Sequence, residues 1–229
     1  MFSKKPINEY VEYTNLNPKM ELKDLKNLVR VAKERKYRSI VIPYFFCGTA
    51  KTLVKGSDIK VVTVFGFPFD MYTQTILTTH KDDYDELDIV IPINLYYYNY
   101  PPKMNGIKAF FMQIKKLIPD KKLKLIIETA MMRDKPKQIK ELCIASRDYI
   151  DVIKTNTGLI KRKSINDLYE DVKLIKKHWK KEVKAAGGIK TLEQVKELIK
   201  LGVDYVGTSA DILIGPSTEI LKEDTKKEE

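Results

Sequence analysis

Eight short apolar runs, separated by longer segments of helical spacing, recur along this chain, and so regular an alternation leaves few folds open. The runs are Val11 to Leu16, Ser39 to Tyr44, Lys60 to Phe65, Leu87 to Pro92, Leu123 to Glu128, Tyr149 to Lys154, Glu182 to Ala185 and Tyr205 to Gly207. Between them the helical pattern is clearest after the sixth run, where Ile165, Leu168, Val172, Ile175 and Trp179 form one apolar stripe at steps of three and four. The next helix should begin at Thr191, because Gln194 three positions on completes a capping box. Alternating strands and helices predict a parallel sheet, and the right-handed crossover rule restricts its connections. Eight such units in 229 residues predict an α/β fold, a single (β/α)8 TIM barrel, with an open doubly wound sheet as the alternative. One domain over residues 1–216 is expected, followed by a charged tail, 217–229, that should fray.

Composition narrows the function classes. No apolar run is long enough to span a bilayer, and Met1-Phe-Ser-Lys-Lys-Pro6 lacks an apolar signal core, so a soluble cytoplasmic protein without a membrane partner is expected. The formal charge of +11 would attract anions, either phosphorylated metabolites or nucleic acid. The lysines, however, are interspersed with acids, as in Lys33-Glu-Arg-Lys36, which reads as solvated helix faces and speaks against a nucleic-acid partner. Cys47 and Cys143 fall in apolar surroundings without metal or redox spacing and read as buried free thiols. His80 and His178 lie in or near helical segments, so no metal site is expected, and no nucleotide-binding or serine-hydrolase motif points to a cofactor.

In a barrel, function gathers at the C-terminal strand ends. Two lysines lie there: Lys154 in Val-Ile-Lys-Thr-Asn-Thr-Gly158, and Lys184 in Val-Lys-Ala-Ala-Gly-Gly-Ile-Lys-Thr191, 30 positions on. That interval is one strand-helix-strand unit, so the lysines should stand on neighbouring strands, with their amines roughly 5 Å apart. At an effective dielectric near 20, their repulsion is about 3 kcal/mol, or roughly two pKa units. One amine would then be partly neutral and nucleophilic, as Schiff-base chemistry requires. The alternative for either lysine alone is a strand end whose amine reaches solvent. Asp88 shares a strand face with Val90 and Pro92; it is either a carboxylate inside the barrel, able to relay protons and to hold Lys184 charged, or a rim carboxylate. Glu128 reads as a supporting group behind the site.

Gly187-Gly188 follows the seventh strand and Gly207-Thr-Ser209 the eighth, the latter leading into a short helical stretch. Backbone N–H groups of such turns can cradle an anion, with Lys190 adding charge, although tight strand-to-helix turns need glycine in any case. The aromatic stretch Tyr96-Tyr-Tyr-Asn-Tyr100 reads as a loop packed on the barrel or on another subunit, with base or sugar stacking as the alternative.

From residue 8 to 215 the chain resembles the deoxyribose-phosphate aldolases. The resemblance rests on Val-Phe-Gly-Phe-Pro68, Glu-Leu-Asp-Ile-Val-Ile-Pro92, Lys-Leu-Ile-Ile-Glu-Thr129, the two lysine motifs and Val-Gly-Thr-Ser209, in the family's order. It implies a class I aldolase that reversibly cleaves 2-deoxy-D-ribose 5-phosphate to D-glyceraldehyde 3-phosphate and acetaldehyde. Lys154 would form the Schiff base, Lys184 would lower its pKa, and Asp88 would relay protons. Gly158, Gly187, Gly188, Lys190, Gly207 and Ser209 would line the phosphate site, and Thr14, in Val-Glu-Tyr-Thr-Asn-Leu16, would face the substrate. The chain departs from the family pattern at Glu12, where Asp is usual, at Ala130 for Gly and at Ala210 for Ser. The segment between Pro68 and Asp88 is about five residues short, and the tail has no tyrosine. Two other readings are a Schiff-base aldolase for a different phosphosugar and a barrel that binds RNA without catalysis. Self-association is compatible with the pattern, since barrel helices can face solvent or a partner.

Overall fold

The computed structural model describes residues 5–66, 78, 80–92 and 103–212. Eight strands close into a parallel barrel in sequential order. They are β1 (Val11–Thr14), β2 (Ser39–Ile42), β3 (Lys60–Phe65), β4 (Glu86–Val90), β5 (Lys122–Ile126), β6 (Val152–Lys154), β7 (Glu182–Ala186) and β8 (Tyr205–Thr208). The eight strands expected from the sequence are all present, and pairing of β1 with β8 completes the closure. This excludes the open sheet. The Tyr96–Tyr100 stretch, residues 69–77 and 79 of the trimmed segment, and residues 213–229, which include the tail, lie outside the described residues.

Six helices are described around the barrel: α1 (Leu22–Arg35), α2 (Cys47–Val54), α3 (Lys103–Leu117), α4 (Lys135–Ser146), α5 (Ile165–His178) and α6 (Leu192–Lys200). Helix α5 carries the predicted stripe: Leu168, Val172 and Ile175 are fully buried, and Trp179 just beyond it is 2% exposed. Its start is set by Ser164, whose Oγ accepts the Asn166 N–H at 3.1 Å. Helix α6 begins at the predicted capping box, with Thr191 Oγ1 accepting the Gln194 N–H and Gln194 Oε1 accepting the Thr191 N–H. Cys47 and Cys143 are buried free thiols, pushed up to about 12 by burial.

The sixth strand is shorter than its apolar run. Tyr149 and Ile150 both donate backbone N–H groups to Ser146 O and close the end of α4, so extended pairing starts only at Val152. Ile150 remains in the core while belonging to a helix terminus.

Among the described residues, two apolar clusters hold the fold together. The large one lies between barrel and helices and takes the outward residues of the strands, such as Ile40, Ile89, Leu125, Ile153 and Val206. The small one comprises Val41, Val62, Val64, Val90 and Ile126. These five alternate with the outward set, so they occupy one side of the barrel interior. The other side is charged.

Candidate active site

The charged side is built by the same two-residue period. On β4 it turns Glu86 and Asp88 inward, on β5 Lys124, on β6 Lys154, on β7 Lys184 and on β1 Glu12. Lys154 and Lys184 are register partners on adjacent strands, as expected from their 30-residue separation, and Asp88 is opposite Lys124. Asp88 is fully buried, so the interior reading holds and the rim reading fails.

Asp88 Oδ2 accepts from both amines, at 2.8 Å from Lys154 Nζ and 2.7 Å from Lys184 Nζ. Lys184 Nζ also contacts Glu12 Oε2. Glu12 Oε1 accepts from Lys124 Nζ at 2.6 Å and from Arg38 Nη1 at 2.8 Å, and Lys124 reaches Glu86 Oε2 at 2.7 Å. Arg38 grips both oxygens of Glu86. One continuous network thus contains four cations, Arg38, Lys124, Lys154 and Lys184, and three carboxylates, Glu12, Glu86 and Asp88.

A buried cluster with one cation in excess favours loss of one proton, because an unpaired interior charge is expensive. Burial pushes the Lys184 amine down to about 8, with Lys154 and Lys124 adding to the effect and Asp88 and Glu12 opposing it. The depressed amine is therefore Lys184, the one the sequence led us to expect Asp88 to hold charged, because complete desolvation outweighs Asp88 and Glu12. Burial alone would raise both carboxylates, yet Lys154, Lys184 and Lys124 hold Asp88 well below the usual carboxylate range. Lys124, Lys184 and Arg38 bring Glu12 to about 2. Lys124 is raised: Glu12, Asp88 and Glu86 outweigh its burial, so it stays an ammonium.

Only Lys154 among these seven groups lines the cleft of about 990 Å3 at the C-terminal strand ends. Thr14, Gly158, Gly187, Gly188, Lys190, Gly207 and Ser209 line the same cleft, so every substrate- and phosphate-site residue expected from the sequence faces one space. Gly187 and Gly188 adopt φ of 100° and 80°, which a side chain resists, and a Cβ on Gly187 would meet that of Asn156 at 3.3 Å. Gly207 has a second duty, since a Cβ there would come within 3.2 Å of Lys184 Cε. Lys190 has its backbone N–H taken by Gln194 Oε1 at 2.7 Å, while its side chain is exposed at the cleft rim.

Sequence reasoning missed Lys124, Arg38 and Glu86 in the interior, and Asn156, Lys161, Arg162 and Lys163 around the cleft. Asn156 fastens three strand ends: its Oδ1 accepts from Ala130 N–H at 3.1 Å and Thr129 Oγ1 at 3.3 Å, and its Nδ2 donates to Ala186 O at 3.2 Å. Glu128, held at φ 46°, accepts the Thr157 N–H on Oε2 at 2.9 Å and so sets the start of the Gly158 turn. Arg162 pairs with the buried Asp171 and donates to Thr129 Oγ1, anchoring the loop that carries Lys161 and Lys163 along the cleft.

No family model matches the chain. Over 224 residues it is 33% identical to the deoxyribose-phosphate aldolase of Mycoplasmopsis pulmonis (strain UAB CTIP), covering 94% of this chain and 98% of that one. The deoxyribose-phosphate aldolase of Streptococcus mutans serotype c (strain ATCC 700610 / UA159) is 32% identical over 219 residues, 91% of this chain and 94% of that one. Among solved structures, QR15, an aldolase, matches with a TM-score of 0.78 at 26% identity, over 89% of this chain and 91% of that one. The tetrameric deoxyribose phosphate aldolase from Aeropyrum pernix, at 24% identity and a TM-score of 0.75, shares the fold over 89% of this chain and 86% of that one. With near-complete coverage of both chains at this identity, the chain belongs to the deoxyribose-phosphate aldolase family.

Proposed function

We propose that the protein is a class I aldolase that reversibly cleaves 2-deoxy-D-ribose 5-phosphate to D-glyceraldehyde 3-phosphate and acetaldehyde, with Lys154 as the Schiff-base residue. The observation that carries the assignment of Lys154 is that it alone connects the cation-rich buried network to the cleft. The amine of Lys154, once it has given up its proton, adds to C1 of the open-chain aldehyde, and loss of water gives the imine, whose protonated form draws electrons. The C3 hydroxyl gives up its proton, the C2–C3 bond breaks, and its electron pair passes into the iminium to leave an enamine and free glyceraldehyde 3-phosphate. Protonation of the enamine at C2 and addition of water then release acetaldehyde and the free amine. Asp88, hydrogen-bonded to Lys154 and Lys184, is the group through which protons exchange with the reacting centre. The Gly158, Gly187-Gly188 and Gly207-Ser209 turns, with Lys190, hold the phosphate at the far end of the sugar.

We further infer that the protein acts on this small phosphosugar in the cytoplasm as one catalytic domain, 1–216, without a nucleic-acid or membrane partner. Among the described residues no helix is long and apolar enough to cross a membrane, and cations and acids alternate on the helix surfaces, as in the Arg30–Glu34 pair of α1. Borohydride reduction in the presence of deoxyribose 5-phosphate, followed by peptide mass mapping, tests the assignment. A stable adduct on Lys154 is expected, and a folded protein giving no lysine adduct overturns it.

A further inference from the structure

The charged side of the interior does not stop beneath the cleft. It runs down the barrel to the opposite mouth, where Arg38, one residue before β2, has 17% of its side chain exposed. Its fork spans two strands, giving Nη1 to Glu12 on β1 and to Glu86 on β4, at 2.8 and 3.1 Å, and Nη2 to the other Glu86 oxygen. From β8 the Tyr205 ring covers the guanidinium, 4.3 Å from ring centroid to Cζ. The Tyr205 hydroxyl donates to Glu182 Oε1 at 2.6 Å and accepts from Lys122 Nζ at 2.8 Å, and the Lys5 amine stands 5.3 Å from the same ring. Above Arg38, Glu12 is fully buried, with its other oxygen on Lys184.

We propose that Arg38 is a positioning residue for the aldol reaction: from the mouth opposite the cleft it holds Glu12 and Glu86 in place and, through them, sets the charge state of the amine pair Lys154 and Lys184. The inference rests on Lys154 being the imine-forming residue. With Arg38 present the seven-group network has one cation in excess, and that excess is what releases a proton from an amine. Without it, three lysines face three carboxylates and all three amines can remain charged. The free amine then appears only at higher pH. Removing a carboxylate from the same mouth has the opposite effect.

The test is the pH dependence of kcat/KM for deoxyribose 5-phosphate cleavage, measured on purified, folded variants. Arg38→Met should move the acidic limb up by about one pH unit, and Glu86→Gln should move it down by a similar amount. Arg38→Lys, which keeps the charge, should restore most of the wild-type position, as should the charge-balanced double variant Arg38→Met/Glu86→Gln. A purely structural role would lower rate or stability at every pH with the limb unmoved, and that result overturns the proposal. If Arg38→Met fails to fold, Glu86→Gln decides alone: a downward shift supports the coupling and an unmoved limb refutes it. Borohydride mapping at the same time separates the two readings. An adduct on Lys154 in every variant with unmoved limbs sinks only the role of Arg38, whereas no adduct in the wild type sinks both.

Discussion

Replacing Lys154 with leucine keeps most of the side-chain volume and removes the amine. Turnover should fall by about four to six orders of magnitude, and borohydride should trap no substrate adduct. Lys184→Leu acts differently. Asp88 then keeps its short hydrogen bond to Lys154, with only Lys124 Nζ beside it at 3.5 Å, and favours the charged form of Lys154, so the acidic limb of the rate profile should rise; a limb that stays in place would remove Lys184 from the electrostatics of the site. Lys124→Met removes the fully buried one of the two cations shared by Glu12 and Glu86, leaving them only Arg38 in common, and should cost about 3–5 kcal/mol in urea unfolding. The first two residues were legible in the sequence because each sits in a run followed by a glycine turn. Lys124 was not. Lys122-Leu-Lys-Leu-Ile126 reads as a strand with one polar face, and nothing in that pattern tells that the polar face is the inside of a barrel. Glu12 and Glu86 were hidden as partners in the same way.

At the level of elements, strand and helix identity were legible throughout the described residues because apolar periodicity is set by burial on one face, and a barrel preserves that rule for its outward side. Strand ends were less so: Ile150 is buried in both a strand and a helix terminus, and only its hydrogen bond to Ser146 O decides between them. The cleft turns were visible as glycines, but the side chains that fix their shape were not, since Asn156 and Glu128 act on residues about 30 positions away in sequence. The turn after β7 offers a direct check. Gly187→Ala must carry a side chain at φ 100° and press it against Asn156, so stability should drop by about 1–2 kcal/mol and KM for the phosphosugar should rise more than kcat falls. Equal KM values for wild type and variant would separate this turn from substrate binding.

For the whole molecule, the interior network makes stability depend on pH from two sides. Glu12 and Asp88 are depressed on folding, so their contribution is complete above the ordinary carboxylate range and is lost as pH falls toward about 2. Lys184 is depressed to about 8 against 10.5, so the folded state binds fewer protons between those values and gains stability as pH rises through them, by up to about 3 kcal/mol. The buried thiols Cys47 and Cys143, held above the ordinary cysteine value, act in the opposite direction above about pH 9, so the check is a difference: in urea titrations at pH 7.5 and 10 the wild type should gain stability relative to Lys184→Leu. The placement of the charges has one more consequence. Glu12, Arg38, Glu86 and Asp88 all come from the first four strands or their edge, and Lys124, Lys154 and Lys184 all come from the last four. Each half-barrel therefore carries an interior that repels a copy of itself and attracts the other half. Two molecules exchanging halves re-form the native pairing, but a barrel assembled from two identical halves would have to bury either six amines with no carboxylate of the network or six carboxylates with only two guanidiniums.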